Sequence, residues 1–426
     1  MPQQDPVTFG LLGRHLGHSW SPKIHSLLGS VPYALIEREP DEVAAFIREG
    51  SWKGLNVTIP YKRQAAKLAD EQSDRVRRLG VANTLVRRSD QSIYAENTDV
   101  LGFSWMLRRF FAESLHRDAR EALDGQEVLV LGSGGACQAV RAALEDTARC
   151  LVSVISRSGS DTYQDMLQRH GGARLIVNTT PVGMYPNCPQ SILDEQTLAS
   201  FPQLLGVLDV VYNPERTGIC LAAEACGIPY ESGLAMLVSQ AFYSSQLFQD
   251  RKLDEALVTA IERDLRSSQR NIVLIGMPGA GKTTTGRALA RLLGRPFIDL
   301  DDAFSVETGM SAAQYIEQNG EDAFRTVETE VASQYGARSG LVIACGGGIV
   351  TQERNYPILH QNGVIAFIDR PIDQLSTNGR PVSQTKGVHR LAEERMGLYR
   401  AWSDIEIACT GSAAGDASLL NSKLKL

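Results

Sequence analysis

The chain has 426 residues, of which 43% are hydrophobic and 22% are charged, and its 43 basic and 49 acidic residues give a formal net charge of −6. At about 150 residues per domain this length excludes a single-domain protein, and the composition excludes a largely disordered one. The sequence has no Lys/Arg-rich block, which excludes a duplex-binding protein, so we expect no nucleic-acid partner.

The apolar segments, the N-terminus and the cysteines indicate in which compartment we expect the protein. The longest apolar runs, such as residues 127–131 and 341–345, are strand-length and fall short of the roughly 20 residues of a membrane helix. The N-terminal MPQQDPVTFG lacks the charged and apolar regions of a signal peptide. Seven cysteines without C-x-x-C spacing fit reduced thiols. We therefore expect a cytoplasmic protein with no membrane partner.

Short β-branched runs alternate with helix-length stretches along the chain, as in EVLVLG, LVSVIS, NIVLIG and GVIAFID. This alternation is typical of βαβ units and parallel sheets, so the sequence predicts an α/β fold. The clearest seam is the polar stretch at about residues 266–271, which separates about 268 residues from about 158.

In the first part, residues 8–28 predict a strand and then a loop that presents Ser19 and Ser21 before a helix. The two serines could cap that helix or bind a ligand. Lys62 and Asp99 form a candidate proton-transfer pair, although a lone lysine can be solvated and an aspartate at a helix start can be a cap. Polar residues at predicted strand-to-helix junctions would suit a small polyhydroxylated acid; they occur in GLNVTIPYK at 54–62, GVANT at 80–84 and ENTDVLGF at 96–103.

Residues 127–137, EVLVLGSGGAC, predict a strand that enters a glycine-rich loop and then a helix. This order is typical of a Rossmann pyrophosphate loop, although Cys137 stands where G-x-G-x-x-G has its third glycine. The next strand ends in Ser156-Arg157-Ser158 rather than in an acidic residue. A guanidinium at this point suits a 2′-phosphate, which predicts NADP rather than NAD.

In the second part, Gly276 to Thr283 read GMPGAGKT and fit a phosphate loop between a strand and a helix. Such a loop turns backbone N–H groups toward phosphates, while Lys282 reaches them and Thr283 can ligate Mg²⁺. Asp299 and Asp301 are expected on one face of a strand, where one carboxylate could serve Mg²⁺ and the other a substrate hydroxyl. Three arginines that follow are candidates for binding anionic groups, namely Arg325, Arg380 and Arg395.

In this order, the segments of the first part resemble shikimate dehydrogenase across about residues 7–265. The resemblance implies a substrate-binding lobe at 1–100, completed by helices at about 233–265, and a Rossmann NADP-binding lobe at 101–232. It implies Lys62 and Asp99 as the catalytic pair. The substrate-binding residues that it implies are Ser19, Ser21, Thr58, Asn83, Asp99, Tyr212 and Gln240. The NADP(H)-binding residues that it implies are Gly132, Ser133, Gly134, Gly135, Ala136, Ser156, Arg157 and Ser158.

The second part resembles shikimate kinase over 270–411, which implies a P-loop, NMP-kinase-like parallel-sheet domain at 269–426. Asp301 would bind and deprotonate the shikimate 3-hydroxyl, and Arg380 would be a catalytic lid arginine. Arg325, Gly347 and Arg395 would hold the shikimate carboxylate and ring. The nucleotide contacts that the resemblance implies are Gly279, Ala280, Gly281, Lys282, Thr283 and Thr284, with Thr283 and Asp299 serving Mg²⁺.

Together the two resemblances imply a bifunctional enzyme that reduces 3-dehydroshikimate with NADPH and then phosphorylates shikimate with ATP. An alternative is a single active shikimate or quinate/shikimate dehydrogenase that carries a non-catalytic, kinase-like binding or regulatory domain. The alternative is motivated by the shortened arginine content of the lid segment between Asp369 and Arg380. The sequence leaves open the oligomeric state, the orientation of the domains and any channelling of shikimate.

Overall fold

The structure is a computed structural model that describes residues 8–17, 19–375 and 387–424. The described chain forms two compact units. Unit one consists of the chain up to Pro181 together with Leu193–Tyr212 and Ala222–Asp264, and unit two of Val182–Ile192, Asn213–Leu221 and the chain from Leu265 onward. Two short segments that precede the seam in sequence therefore belong to unit two. The domain ranges implied by the resemblances stay predictions.

The N-terminal part of unit one alternates strands and short helices. Their bounds are β1 (Phe9–Gly13), α1 (Ser21–Leu28), β2 (Tyr33–Glu37), α2 (Val43–Glu49), β3 (Gly54–Val57), α3 (Lys62–Leu68), β4 (Glu71–Gln72), α4 (Asp74–Leu79), β5 (Thr84–Arg87) and β6 (Ile93–Glu96). The sheet is mixed, with the order β2-β1-β3-β5-β6-β4, and only the pairs β3/β5 and β5/β6 are antiparallel among its described ladders. Leu12, Leu55 and Leu85 are fully buried in its core.

The second sheet of unit one is five-stranded and parallel. The elements from here to the seam are α5 (Thr98–Ser114), α6 (Ala119–Leu123), β7 (Glu127–Leu131), α7 (Gly135–Ala148), β8 (Leu151–Ile155), α8 (Met166–His170), β9 (Leu175–Asn178), α9 (Glu195–Ala199), β10 (Gly206–Asp209), α10 (Gly218–Ala225), β11 (Tyr230–Glu231), α11 (Leu234–Gln249) and α12 (Ala256–Gln269). The strand order is β11-β10-β9-β7-β8. Helices cover both faces of such a sheet, so β7 and β9 read as continuous apolar runs.

The helix α11 packs against both parts of unit one. Gly102 of α5 is in close contact with it, because a Cβ at this position would lie 2.8 Å from the Gln240 Cβ and 2.9 Å from the Met236 carbonyl oxygen. At its other end, Gln249 donates a hydrogen bond to the Leu28 carbonyl oxygen at 3.0 Å. This packing fixes the position of Gln240 relative to the start of α5.

Unit two contains a second five-stranded parallel sheet, with the phosphate loop after its central strand. Its elements are β12 (Asn271–Ile275), α13 (Lys282–Leu293), β13 (Phe297–Asp299), α14 (Leu300–Thr308), α15 (Ala312–Asn319), α16 (Glu321–Gly336), β14 (Val342–Ala344), a 3₁₀ turn (Ile349–Thr351), α17 (Asn355–His360), β15 (Gly363–Asp369), a second 3₁₀ turn (Ile372–Gln374), α18 (Val388–Trp402), β16 (Ile405–Ala408) and α19 (Ala413–Leu424). The strand order is β13-β14-β12-β15-β16. The predicted α/β fold class is confirmed.

The segment Asn213–Leu221 is tied to the amino-terminal ends of β12 and β15. The Glu215 carboxylate accepts hydrogen bonds from Arg266 at 2.9 Å and from Arg270 at 2.6 and 2.5 Å. Arg216 donates to the carbonyl oxygen of His360 at 2.7 Å. Burial opposes ionisation of Glu215, but the hydrogen bond and charge of Arg270 outweigh it and lower the pKa of Glu215 to about 2. The phosphate loop follows the opposite, carboxyl end of β12.

Two further observations concern the cysteines and the search for membrane-spanning helices. All seven cysteines are free thiols, as the sequence predicts. Across the described residues, no helix has both the length and the apolar character that a membrane crossing requires.

Candidate active sites

Lys62 and Asp99 meet in unit one, where each lies in the first turn of a helix that follows a strand or loop of the mixed sheet. The Lys62 Nζ lies 2.6 Å from the Asp99 Oδ2, and the two side chains remain 26% and 16% exposed. The pair is therefore partly screened from water but still accessible to a ligand. An ammonium held this close to a carboxylate is positioned to exchange a proton with a third group.

Asn83 fixes the orientation of Asp99. Its Nδ2 donates to the Asp99 Oδ1 at 2.8 Å, and its Oδ1 accepts the Thr98 N–H at 2.7 Å. The Gln240 Oε1 lies 3.5 Å from the same Nδ2. Four of the predicted residues, on α3, α5, α11 and the turn before β5, thus converge on one place.

The other predicted substrate residues lie on neighbouring elements. The Ser21 N–H donates to the Ser19 Oγ at 3.2 Å, and the cap position of α1 is Trp20, whose side chain makes no capping hydrogen bond. The ring of Trp20 lies 5.1 Å from that of Tyr212, which brings Tyr212 beside this loop. The Thr58 N–H donates to the Leu12 carbonyl oxygen. In the described part of the chain, Ser19, Ser21 and Thr58 make no hydrogen bond to Lys62 or Asp99.

Behind the pair lies a buried polar network that the sequence reasoning missed. The Ser244 Oγ lies 2.8 Å from the Asn56 Nδ2, 2.9 Å from the Thr84 Oγ1 and 3.0 Å from the Thr98 Oγ1. The Thr84 hydroxyl also donates to the Asn83 Oδ1 at 3.1 Å. The other four residues of the network, Asn56, Asn83, Thr84 and Thr98, lie in the polar motifs already singled out. Ser244 could have been found only from its position one helical turn after Gln240.

The glycine-rich loop after β7 leads into the N-terminus of α7. Gly132 has φ +97°, and a Cβ there would lie 2.7 Å from the Thr180 Cγ2, so the strand can turn this tightly only at glycine. Beside Gly134 and Gly135 the space is open, since a Cβ on either would meet no atom within 4 Å. An anion could therefore reach the free N–H groups at the start of α7, which fits a pyrophosphate. Ser133 is exposed, and Ala136 lies in the first turn of α7.

The loop after β8 carries the predicted 2′-phosphate residues. Ser156 is buried, whereas Arg157 and Ser158 are exposed. Within the described residues the Arg157 side chain makes no ion pair, so its guanidinium is free to meet a ligand. At the neighbouring strand ends, Asn178 donates to both carboxylate oxygens of the buried Asp209 at 3.1 Å.

In unit two, the phosphate loop has the geometry that its motif predicts. The Lys282 Nζ donates to the carbonyl oxygens of Gly276 and Met277 at 2.9 and 3.0 Å, so the ammonium curls over the loop. Gly281 precedes α13 with φ +96°. The Thr283 hydroxyl donates to the Asp299 Oδ2 at 2.7 Å. Hydroxyl and carboxylate oxygens are ligands that Mg²⁺ accepts, and these two oxygens are close enough for one ion to contact both. Gly279, Ala280 and Thr284 belong to the same loop and helix start.

The placement of Asp301 differs from the prediction. The two aspartates were expected on one strand face, but β13 ends at Asp299, and Asp301 lies in the first turn of α14. The reason is local, because the Asp299 Oδ1 accepts the Asp301 N–H at 3.0 Å and so starts the helix. Asp301 nevertheless faces the triple-glycine segment (Gly346 to Gly348), since a Cβ on Gly346 would lie 2.8 Å from its Oδ1.

Arg325 and Arg395 converge on the same glycine segment. Arg325 packs against the Gly348 backbone and pairs with Glu328 at 2.7 Å. The Arg395 Nη1 donates to the Gly347 carbonyl oxygen at 3.0 Å, while its buried Nε has no partner among the described residues. Burial raises the pKa of Glu328, and Asp301 adds to this effect, while Arg325 opposes it.

Two residues near this site had no assigned role in the sequence reasoning. Glu328 lies one helical turn after Arg325, and its pairing with that arginine requires only i, i+3 helical spacing. Arg370 follows β15 and lies near Gly281, with its Nη2 4.0 Å from the buried Asp416; only the fold brings these residues together. Arg380, the predicted lid arginine, lies outside the described residues.

The fold and these two sites define the class of the protein: an α/β enzyme with a dinucleotide-type loop in one unit and a phosphate-loop kinase site in the other. Residues 11–85 match the family model of the shikimate dehydrogenase substrate binding domain, and residues 278–424 match that of shikimate kinase. The shikimate dehydrogenase (NADP(+)) of Clostridium beijerinckii is 31% identical over 273 residues, which cover 59% of this chain and 96% of that protein. The chain belongs to the shikimate dehydrogenase family and also carries a shikimate kinase domain.

Solved structures agree with the assignment of the chain to the shikimate dehydrogenase family. A chorismate mutase/shikimate 5-dehydrogenase fusion protein from Clostridium acetobutylicum is 33% identical, with a TM-score of 0.53, over 62% of this chain and 98% of that one. Shikimate 5-dehydrogenase from Thermus thermophilus in complex with NADP(H) and shikimate is 27% identical, with a TM-score of 0.51, over 61% and 99% of the two chains. The presence of both domains identifies a bifunctional shikimate-pathway enzyme and does not favour the single-activity alternative.

Proposed function

We propose that this chain reduces 3-dehydroshikimate to shikimate with NADPH and then phosphorylates the 3-hydroxyl of shikimate with ATP and Mg²⁺. The observation that carries the proposal is the Lys62–Asp99 pair, which Asn83 orients. The same chain carries a kinase domain in which Lys282 lies over the phosphate loop and Thr283 donates a hydrogen bond to Asp299. We assign residues 1–100 and about 233–265 to the substrate lobe, 101–232 to the NADP lobe and 269–426 to the kinase, and we expect the enzyme in the cytoplasm.

In the reductase step, Lys62 would donate a proton to the oxygen at C3 of the substrate. NADPH, when bound, supplies the hydride that C3 receives, so the carbonyl gains one hydride and one proton and becomes a hydroxyl. Asp99 would accept a hydrogen bond from the neighbouring substrate hydroxyl and keep the Lys62 ammonium aimed at the reacting oxygen. The lysine would then recover its proton from water.

The remaining polar side chains of unit one would orient the substrate. Ser19 and Ser21 lie on the loop beside Trp20 and Tyr212, which suits the carboxylate end of a small acid. Thr58, Asn83 and Gln240 would bind ring hydroxyls. Retention of both serines favours shikimate over quinate.

The cofactor contacts would lie on the loops after β7 and β8. The open N–H groups at Gly134 and Gly135 would hold the pyrophosphate, with Gly132, Ser133 and Ala136 shaping the turn. The exposed Arg157, flanked by Ser156 and Ser158, would pair with the 2′-phosphate, which supports NADP(H) over NAD(H).

In the kinase step, Asp301 would accept the proton of the 3-hydroxyl while that oxygen attacks the γ-phosphorus, and ADP leaves. Arg325, Arg395 and the Gly347 backbone would hold the carboxylate and ring of shikimate. Lys282 and the loop from Gly279 to Thr284 would hold the phosphates, with Thr283 and Asp299 serving Mg²⁺. Mg²⁺, when bound, supplies charge neutralisation for the transferring phosphoryl group. We assign Arg380 to the same task.

A product assay tests the proposal directly. Full-length protein is incubated with 3-dehydroshikimate and NADPH, with and without MgATP, and the products are identified by mass spectrometry. We expect shikimate without MgATP and shikimate 3-phosphate with it. Accumulation of shikimate in the presence of MgATP would restore the single-activity alternative.

Two variants assign the steps, and each serves as the control of the other. Lys62→Ala should lower the rate of NADPH oxidation by a factor on the order of 10²–10⁴ and leave phosphorylation of added shikimate intact, because it removes only the proton donor. Asp301→Asn should instead lower the rate of shikimate phosphorylation and leave NADPH oxidation intact. Unchanged reduction in Lys62→Ala, or unchanged phosphorylation in Asp301→Asn, would remove that residue from catalysis.

A further inference from the structure

The segment that carries Arg157 is a closed loop, which we call the 156–161 loop (Ser156 to Asp161). The Ser156 N–H donates to the Asp161 carbonyl oxygen at 3.1 Å, and Ile155 and Asp161 form a parallel β-bridge. Residues 157–160 between these closing contacts are exposed. The position of Arg157 therefore depends on how firmly Asp161 is held.

Asp161 is held by two adjacent side chains at the end of α8. Its Oδ1 lies 2.6 Å from the Arg169 Nη1 and 3.1 Å from the His170 Nε2. The same Arg169 nitrogen donates to the Ser160 carbonyl oxygen at 2.9 Å. Arg169 and His170 thus hold the C-terminal end of the loop through the Asp161 carboxylate and the Ser160 carbonyl group.

His170 links this contact to the sheet. Its Nδ1 lies 2.7 Å from the Oε1 of Glu127 at the start of β7, and the same oxygen accepts the Ser153 hydroxyl of β8 at 2.7 Å. The His170 side chain is 11% exposed. Burial opposes its charged form, but the carboxylates of Asp161 and Glu127 outweigh this effect and raise the pKa of His170. The protonated ring donates to both carboxylates, which braces the loop against two strands.

We propose that Arg169 and His170 are positioning residues that hold the 156–161 loop for recognition of the adenosine 2′-phosphate and thereby set the preference for NADP(H) over NAD(H). This inference rests on the proposed function, which assigns Arg157 to that phosphate. NAD(H) has no 2′-phosphate, so it gains nothing from an ordered Arg157. The pyrophosphate loop at 132–136 follows a different strand and serves both cofactors equally.

The test measures binding rather than turnover. Equilibrium dissociation constants of NADP⁺ and NAD⁺ are determined for the full chain by isothermal titration without substrate, for wild type, Arg157→Ala, Arg169→Ala and His170→Gln. We expect Arg169→Ala and His170→Gln each to raise the dissociation constant of NADP⁺ by about tenfold while that of NAD⁺ changes by less than about twofold. Arg120→Ala, on the exposed face of α6, is the matched surface control and should change neither constant.

The outcomes separate the inference from the proposed function. If Arg157→Ala weakens NADP⁺ selectively but Arg169→Ala and His170→Gln do not, the positioning role is wrong and the phosphate contact stands. If Arg169→Ala and His170→Gln weaken both cofactors equally, the two residues only stabilise the lobe, and the inference is overturned. If Arg157→Ala itself is unselective, the assigned 2′-phosphate contact of the proposed function is wrong. NAD⁺ binding reports in every variant that the lobe is folded.

Discussion

Ser244 carries a buried hydroxyl that contacts three polar residues behind the proposed substrate site. It contacts Asn56, Thr84 and Thr98, and Thr84 and Thr98 both hydrogen-bond to the Asn83 Oδ1. Ser244→Ala would leave these groups with one partner fewer, which costs about 1–3 kcal/mol of unfolding free energy. Because Asn83 orients Asp99, we also expect a severalfold higher KM for shikimate, measured by steady-state oxidation with NADP⁺.

The control for Ser244→Ala is Ser239→Ala on the same helix. Ser239 is equally buried, but its hydroxyl donates to the carbonyl oxygens of Ala235 and Gly102 and reaches none of the site's side chains. Both variants should lose stability, and only Ser244→Ala should raise the KM. Equal KM values in the two variants would mean that Ser244 is purely structural.

Among the secondary-structure elements, the crossing of α5 and α11 decides where Asp99 and Gln240 meet. At Gly102 an added Cβ would lie 2.9 Å from both the Gln240 backbone nitrogen and the Met236 carbonyl oxygen, and backbone atoms cannot rotate away. Gly102→Ala should therefore separate the helices, cost about 1–3 kcal/mol and lower dehydrogenase kcat/KM. Thermal unfolding and NADPH oxidation measure the two effects.

A second helix-interior glycine provides the matched control for this crossing. Gly397 lies within α18, and a Cβ there would meet no atom within 4 Å. Gly397→Ala should stabilise its helix by about 0.5–1 kcal/mol, because alanine loses less backbone entropy than glycine on folding. A loss of stability in Gly397→Ala, or none in Gly102→Ala, would contradict the packing argument.

At the scale of the whole molecule, the folding stability of unit two depends on Glu215, although this residue precedes the seam at about residues 266–271. Glu215→Gln removes the negative charge between Arg266 and Arg270, which leaves two partly buried guanidinium groups with one counter-charge fewer. Breaking such a buried pair costs about 3–5 kcal/mol. Glu215→Gln should therefore lower the free energy of unfolding of unit two. Trp402 is the only tryptophan in the sequence range of unit two, so its fluorescence can follow the unfolding of this unit.

The same carboxylate predicts an acid-dependent loss of stability. The pKa of Glu215 is about 2 in the folded chain against 4.5 ordinarily, so its contribution is fully present above about pH 4.5 and is lost as the pH falls toward 2. Wild type should therefore lose on the order of 2–3 kcal/mol more than Glu215→Gln across this window. Parallel stability curves for the two proteins would show that Glu215 is not the group that titrates.

Local sequence predicted several residues that the fold brings together at the two candidate sites. The phosphate loop needs only the glycine spacing of GMPGAGKT between a strand and a helix, and the turn at Gly132 follows from the same kind of local constraint. Lys62 and Asp99 were predictable as a pair because both follow strands of one sheet and belong to a recognisable order of motifs. Residue type, short-range spacing and the order of motifs along the chain are sufficient for such features.

Tertiary structure alone decided the features that join distant parts of the chain. Ser244 contacts Asn56, which is 188 residues away in sequence, and Glu215 contacts Arg270, which is 55 residues away. No periodicity in the sequence predicts either contact. His170 reaches Glu127 and Asp161 only because β7 and β8 lie side by side. These outcomes depend on which surfaces pack together, and that is a property of the folded chain rather than of any short segment.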